Sequence, residues 1–444
     1  MAHYCHETTN KGAALWEKAK RLIPGGNQLL SKRAEMFLPG RWPAYYQKAK
    51  GVDIWDMEMT KYVDMSIMGI GSCVLGYAND EMEKVVKAAV EQGNMSTLNC
   101  YEEVALAQKL IELHPWAEMA RFAKTGGEIN AVAIRIARAY TKKDKVAFCG
   151  YHGWSDWYLA ANLADGDNLD GQLLPGLEPA GVPRALTGTA MPFNYGKIEE
   201  LKQIVTKNKD EVGVIIMEVT RYTAPDLNFL REVRQIAEEI GAVLIFDEIS
   251  SGFRANTGGM HLLYDIRPDM MTLGKALGAG YPITAVIGKG KIMQAAQDTF
   301  ISSTYWTERI GFVAGLETIR QYETYHVADH LVEMGNYAHE GLEKIFRSND
   351  LKISVVGMPA VPVIAIKEEN PLEIKTVITQ EMLKRFYLAS NIIYISSAHT
   401  REIIDGYLKN MAEVFEHIIP AIKSGRVATL LESPVCHGGF KRLN

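Results

Sequence analysis

The chain has 444 residues, of which 47% are hydrophobic and 23% charged, and a net charge of -5. These are the values of a globular protein with a large core, longer than one ordinary domain needs. No basic stripe and no bilayer-length apolar run is present, which argues against nucleic acid or membrane as partners and leaves small molecules or other proteins.

Five cysteines, Cys5, Cys73, Cys100, Cys149 and Cys436, are scattered and form no C-x-x-C. Reduced thiols in a cytoplasmic protein are expected, with neither a disulfide framework nor a metal site. The polar start MAHYCHETTNKGAALWEKAK lacks the apolar core of a secretory signal.

Along the chain, residues 1–70 combine a polar helix, the loop PGGNQLLSKRAEMFLPGRWP and the alternating run GVDIWDMEMTKYVDM, which predicts a small β-meander. Residues 71–320 change to apolar strands alternating with amphipathic helices. KVAFCGYHGW, EVGVIIMEVT, AVLIFDEIS and DMMTLGKALG read as strands, and EINAVAIRIARAYTKK and FLREVRQIAEEIG as helices. This alternation predicts an α/β unit with a mainly parallel sheet. Residues 321–444 predict helices and two apolar strand regions, ISVVGMPAVPVIAI and NIIYIS, in a smaller α+β unit that packs with the N-terminal segment.

G-x-G-x-x-G after a strand, G-x-x-x-x-G-K-[ST], H-E-x-x-H and G-x-S-x-G are all missing. Dinucleotide binding by the usual fingerprint, P-loop hydrolysis, zincin chemistry and α/β-hydrolase chemistry therefore lose support.

The informative places are the ends of the apolar runs. VGVIIM ends at Glu218, VLIF at Asp247 and Glu248, and DMMTL at Gly274 and Lys275. In an open α/β sheet the strand C-termini are where ligands bind, so carboxylates and an amine meet at one edge. A structural ion pair would look the same. Thr125, Gly126 and Gly127 precede a strongly periodic helix, whose first amides suit a phosphate, though TGG is also an ordinary helix start. Tyr151 follows the strand KVAFC and falls beside the same crevice. A phosphate cradle, an aromatic ring, a carboxylate and a lysine are together what pyridoxal phosphate requires.

In that order, KTGGEINAVAIRIARAY, YHGW, FDEISSGFR and LGKALGAGYP resemble the signatures of class III, fold-type I PLP-dependent aminotransferases, the glutamate-1-semialdehyde aminotransferase-like branch above all. The resemblance implies a seven-stranded, mainly parallel sheet flanked by helices, with a small α+β domain built from both termini. It implies that Lys275 is the Schiff-base lysine, Asp247 the partner of the pyridine nitrogen, and Ile249 and Tyr151 the covers of the two ring faces. His152 stands beside Tyr151, Glu218 at the inner edge, and Gly126 and Gly127 at the phosphate. Thr304 in SSTYWTERIGFVAG matches a threonine that reaches the phosphate of a neighbouring subunit, which implies a homodimer.

The implied activity is transfer of an amino group from a donor to an aldehyde or ketone. Glutamate-1-semialdehyde 2,1-aminomutase is the alternative, and a non-catalytic binding protein of this fold a further one. Against the mutase, Asn391 stands where its pattern has a glutamate eight residues before the histidine of SSAHT, and SSTYWTERIG replaces T-L-S-G-N-P. In the loop after PGG, Lys32 and Arg33 are the candidate cations for a substrate carboxylate. Arg254 is expected in a loop near the site, and Arg135 and Arg138 on a solvated or interface face.

Overall fold

The computed structural model describes residues 11–443 except 173–174, 209, 221–224, 348 and 350, so Cys5 lies outside the described residues. After the helix Lys11–Leu22, strands β1 (Tyr46–Lys50), β2 (Asp53–Asp56) and β3 (Lys61–Met65) pair antiparallel, the expected meander. Strands β4 (Met119–Ala123), β5 (Lys145–Cys149), β6 (Ala190–Pro192), β7 (Val212–Glu218), β8 (Val243–Asp247), β9 (Met270–Leu273) and β10 (Thr284–Gly288) then build one seven-stranded sheet in the order β4-β10-β9-β8-β7-β5-β6. β10 is antiparallel to both its neighbours, while β6, β5, β7, β8 and β9 are mutually parallel.

The central strands are buried along their length, which is why they read as unbroken apolar runs rather than alternating ones. Successive side chains still point to opposite faces. Val214, Ile216, Val243 and Ile245 join the cluster under the helix Gly126–Thr141, which contributes Ile129, Val132, Ala133, Ile136 and Ala137. Ile215, Met217, Leu244 and Phe246 join the other cluster, with Phe229, Leu230 and Val233 from the helix Leu227–Glu239. Each fully buried Val, Ile, Leu, Met or Phe among these contributes on the order of 1.5–3 kcal/mol, so the sheet is a firm floor for whatever stands at its edge.

The C-terminal part contributes the helices Val327–Arg347, Pro371–Leu383 and Arg401–Lys423, the antiparallel pair β11 (Ile353–Val356) and β12 (Val363–Ile366), and β13 (Tyr387–Ala389). β13 runs parallel to β3, so strands from the two ends of the chain share a four-stranded sheet. The strand expected over NIIYIS falls instead on Tyr387–Ala389. Ile393 and Ile395 donate to Pro362 and Ala360, whereas Tyr394 donates to Ser66 on the other side. Backbone bonds that alternate between two partners build no ladder, although the apolar side chains are buried as the pattern demands.

Among the described residues no helix is long and apolar enough to cross a membrane.

Candidate active site

Register assembles the site. In β7, β8 and β9, Glu218 is the partner of Asp247 and Asp247 that of Thr272, so three polar residues stand in line at the strand C-termini. Lys275 follows three residues on, after Gly274. It has a φ of 42°, the left-handed region that a side chain with a Cβ rarely occupies, and such strain gathers at functional sites. Its Nζ donates to the Ser250 hydroxyl at 2.6 Å. Burial pushes the amine well below its usual range; Asp247 and Glu218 pull it back, and the Arg254 cation pushes it further down.

Asp247 is buried and held by three donors. Its Oδ2 accepts from the Asn130 amide at 2.7 Å and faces His152 Nδ1 at 2.8 Å, and its Oδ1 accepts from the Ile249 backbone at 3.1 Å. The other nitrogen of His152 faces the Cys149 carbonyl at 3.2 Å, so this fully buried ring bridges two acceptors and orients the carboxylate. Glu248, the second acid of the run, does not join the site. One residue along a strand reverses the side chain, and Glu248 is pinned beneath the sheet by His261 Nδ1 at 2.6 Å and by the Met260 and His261 amides.

Ile249 packs between the helix start and the lysine turn: a Cβ on Gly126 would lie 3.2 Å from its Cδ1, and one on Gly274 3.4 Å from its Cγ2. Tyr151 is partly exposed at the rim, with its backbone N–H donating to Glu218 Oε2 at 3.2 Å. Burial, then the Asp247 charge, raises its phenol above the usual range. Thr125, Gly126 and Gly127 open the long helix, and Glu128 accepts from the Lys124 and Thr125 amides at 3.1 and 2.9 Å. The amides of Gly126 and Gly127, in the first turn, have no intrahelical acceptor to go to. At Gly153, with φ of 108°, a Cβ would sit 2.7 Å from the Gly127 Cα, so two backbones meet where only glycine permits it.

Thr304 is not brought to this cluster. It begins an exposed turn, Thr304–Thr307, tied to the helix start by Trp306 Nε1 on Glu128 Oε1 at 3.5 Å and by the Lys124–Glu308 ion pair. Arg33 is also committed elsewhere, donating to the Lys441 carbonyl at 3.0 Å beside the Phe440 ring, whereas Lys32 is exposed and its charge bears on the Cys73 thiol. Arg135 and Arg138 reach the Phe300 and Asp144 carbonyls. Sequence reasoning missed Asn130, Ser250 and Thr272, and also how deeply Arg254 is buried. Asn130 could have been found as the one amide on the stripe of Ala133, Ile134 and Ala137.

An amine, a fixed carboxylate, an apolar face, an aromatic rim and a glycine-lined helix start answer, part for part, an aldehyde, a ring nitrogen, two ring faces and a phosphate. The fold answers too: it is fold type I of the PLP-dependent transferases. It is shared with the FumI protein of Sphingopyxis sp. MTA144 at TM-score 0.84, with 24% identity over 95% of this chain and 99% of that one. An omega-transaminase from Sphaerobacter thermophilus gives TM-score 0.82, with 22% identity over 94% and 99%.

The chain belongs to the aminotransferase class-III family, whose model matches residues 39–403. It is 33% identical to the 3-aminobutyryl-CoA aminotransferase of Cloacimonas acidaminovorans, over 81% of this chain and 84% of that one. It is 34% identical to a glutamate-1-semialdehyde 2,1-aminomutase of Methanothrix thermoacetophila, over 79% and 81%. The protein is thus a PLP-dependent transaminase, moving an amino group from a small-molecule donor to a carbonyl acceptor.

Proposed function

We propose that Lys275 carries the cofactor covalently, that Asp247 pairs with the ring nitrogen beside Glu218 and His152, that Ile249 and Tyr151 cover the ring, and that Thr125, Gly126 and Gly127 hold the phosphate. The observation that carries this reading is the alignment of Glu218, Asp247 and Thr272 in one register, with Lys275 on the turn beyond. When bound, pyridoxal phosphate supplies an aldehyde that takes up an amine and a cationic ring that withdraws electrons from the neighbouring bonds. Asp247, already oriented by three donors, is the fixed acceptor for a cationic N–H. The Lys275 amine, with its proton affinity lowered by burial, would take the proton from the substrate carbon that bears the amine and deliver it across the C–N bond, a 1,3-shift. Tyr151 and Ile249 keep water from the reacting plane.

The reaction we assign runs between two molecules, a donor that leaves as a keto compound and an acceptor that leaves as an amine. Asn391 in place of the mutase glutamate supports it, and so does the engagement of Arg33 with the C-terminal tail, which leaves Lys32 as the cation for a substrate anion. An internal mutase is the second reading, favoured by the aminomutase relatives at up to 34% identity. Spectra of the purified holoprotein decide. Loss of the visible cofactor band on adding glutamate, alanine or another single amine donor, with its return on adding a carbonyl acceptor, supports transfer. Turnover of glutamate 1-semialdehyde with no second substrate overturns it.

A homodimer is part of this reading, with Thr304 of one subunit reaching the phosphate held by the other. Leu98, Tyr101, Val104, Phe300 and Tyr305 are all exposed, between 69% and 83%, and the segments that carry them adjoin through Arg309, which donates to the Asn94 carbonyl and lies over the Tyr101 ring. An apolar surface of that kind, beside Thr304, suits a second copy of the chain. We place the enzyme in the cytoplasm, in keeping with the reduced thiols of Cys73, Cys100, Cys149 and Cys436.

A further inference from the structure

Arg254 is only 1% exposed, and among the described residues no carboxylate lies within ion-pair distance of it. Its Nε donates to the Ser250 carbonyl at 3.3 Å, its Nη2 to the Gly71 carbonyl, and its guanidinium lies 5.4 Å from the centre of the Tyr394 ring. Its Nη1 is buried and makes no hydrogen bond. Taking a cation out of water without a counter-ion is costly, and a protein that kept it for packing alone would do better with an apolar residue. Both groups it grips matter to the crevice. Ser250 is the residue whose hydroxyl receives Lys275 Nζ at 2.6 Å, and Gly71 ends a run, Met68–Gly71, with φ values of 39°, 64°, 59° and 70°. Four successive left-handed residues, two of them not glycine, need an outside hold.

We propose that Arg254 and Ser250 act together as positioning residues for Lys275, the serine hydroxyl holding the amine and the buried guanidinium holding the serine and the loop opposite. Their electrical effects on the amine are opposite in sign. The uncompensated charge of Arg254 disfavours a second cation nearby, whereas the Ser250 oxygen, as acceptor, favours the protonated amine. The other charged groups facing Lys275 are Asp247 from β8 and Glu218 from β7, and those facing Arg254 are Tyr322, Tyr394 and Cys73. None of these neutralises the guanidinium while its own hydroxyl or thiol stays protonated.

The inference rests on Lys275 being the cofactor's anchor, and the test separates the two. Pyridoxal phosphate is added to the cofactor-free full-length chain over a range of pH. The adduct is trapped with borohydride and its formation rate at Lys275 is read by mass spectrometry, which reports the fraction of free amine without any turnover. Arg254→Met should move the midpoint upward by about one pH unit or more, the usual effect of removing a close like charge. Arg254→Lys should keep it within a few tenths of the wild-type value, and Ser250→Ala should move it downward. An unchanged midpoint in Arg254→Met, or a shift of both variants in one direction, as mere loosening would give, overturns the proposal. Should Arg254→Met not fold, an unchanged midpoint in Ser250→Ala does the same. Absence of any adduct at Lys275 in the wild type overturns the cofactor assignment instead.

Discussion

The side-chain amide of Asn130 donates to Asp247 Oδ2 at 2.7 Å, and the same side chain accepts from the Thr272 hydroxyl at 2.9 Å. It also reaches the His152 carbonyl at 3.2 Å, so one helix residue ties β8, β9 and the loop after β5 together. Asn130→Ala leaves a hydroxyl, a carbonyl and a carboxylate lone pair unpaired in a buried place. A stability loss of about 1–3 kcal/mol follows, read from urea unfolding, together with a fall in kcat larger than any rise in KM. Asn130→Asp, which sets a second carboxylate against Asp247, should be worse than alanine. An unfolding midpoint and kcat equal to wild type in both variants would remove Asn130 from the site's support.

Lys275→Ala and Asp247→Asn separate the two principal roles. The first should abolish the covalent adduct and reduce turnover by at least ~10²–10⁴-fold, the share a positioned acid–base group usually supplies. The second keeps the amine, so the adduct should still form at Lys275 while kcat falls by roughly 10²–10³-fold through loss of a preorganised charge. Mass spectrometry after borohydride trapping, beside steady-state kinetics, distinguishes them. A Lys275→Ala protein that retains full activity would sink the assignment.

The carboxylates and the lysine were legible because each ends an unbroken apolar run, and a run buried on both faces fixes which sheet edge its last residue meets. The apolar run by itself did not divide Asp247 from Glu248; only the resemblance singled out Asp247. Both follow the same strand, and the choice rests on which face carries His261 and which carries Asn130, residues 131 positions apart. Arg254 read as a loop residue because its depth is set by Gly71 and Tyr394, remote in the chain. NIIYIS read as a strand because its buried isoleucines alternate correctly, whereas strand status depends on partners that composition does not name.

Gly153 faces the backbone of Gly127, and a Cβ there would stand 2.7 Å from the Gly127 Cα, at a φ of 108° that side chains seldom adopt. Backbone cannot swing aside as a long side chain can. Gly153→Ala should therefore push the first turn of the helix Gly126–Thr141 and weaken cofactor retention, measured as the concentration of pyridoxal phosphate needed for half-saturation. Gly166→Ala, where nothing lies within 4 Å of the new atom, is the matched control. Equal retention in the two would mean that the helix start is not the phosphate site or is not tightly placed.

Acid should weaken the fold through His114. The ring is fully buried, its Nδ1 donating to the Leu110 carbonyl at 2.7 Å and its Nε2 accepting from the Gly259 amide at 2.9 Å, and it stacks on His261. Burial lowers its pKa from 6.5 to about 4, assisted by His261 and opposed by the Leu110 carbonyl and Glu248. The folded state thus keeps His114 neutral at a pH where the unfolded chain takes up a proton. Between about 6.5 and 4 the unfolded state binds more protons, so stability rises with pH in that window: the contribution is complete above about 6.5 and lost as pH falls toward 4. A shift of that size corresponds to about 3 kcal/mol. Urea midpoints at three pH values across the window should fall steeply for the wild type and more gently for His114→Gln, which cannot titrate there although its starting stability is lower. Parallel slopes in the two proteins would place the acid sensitivity elsewhere.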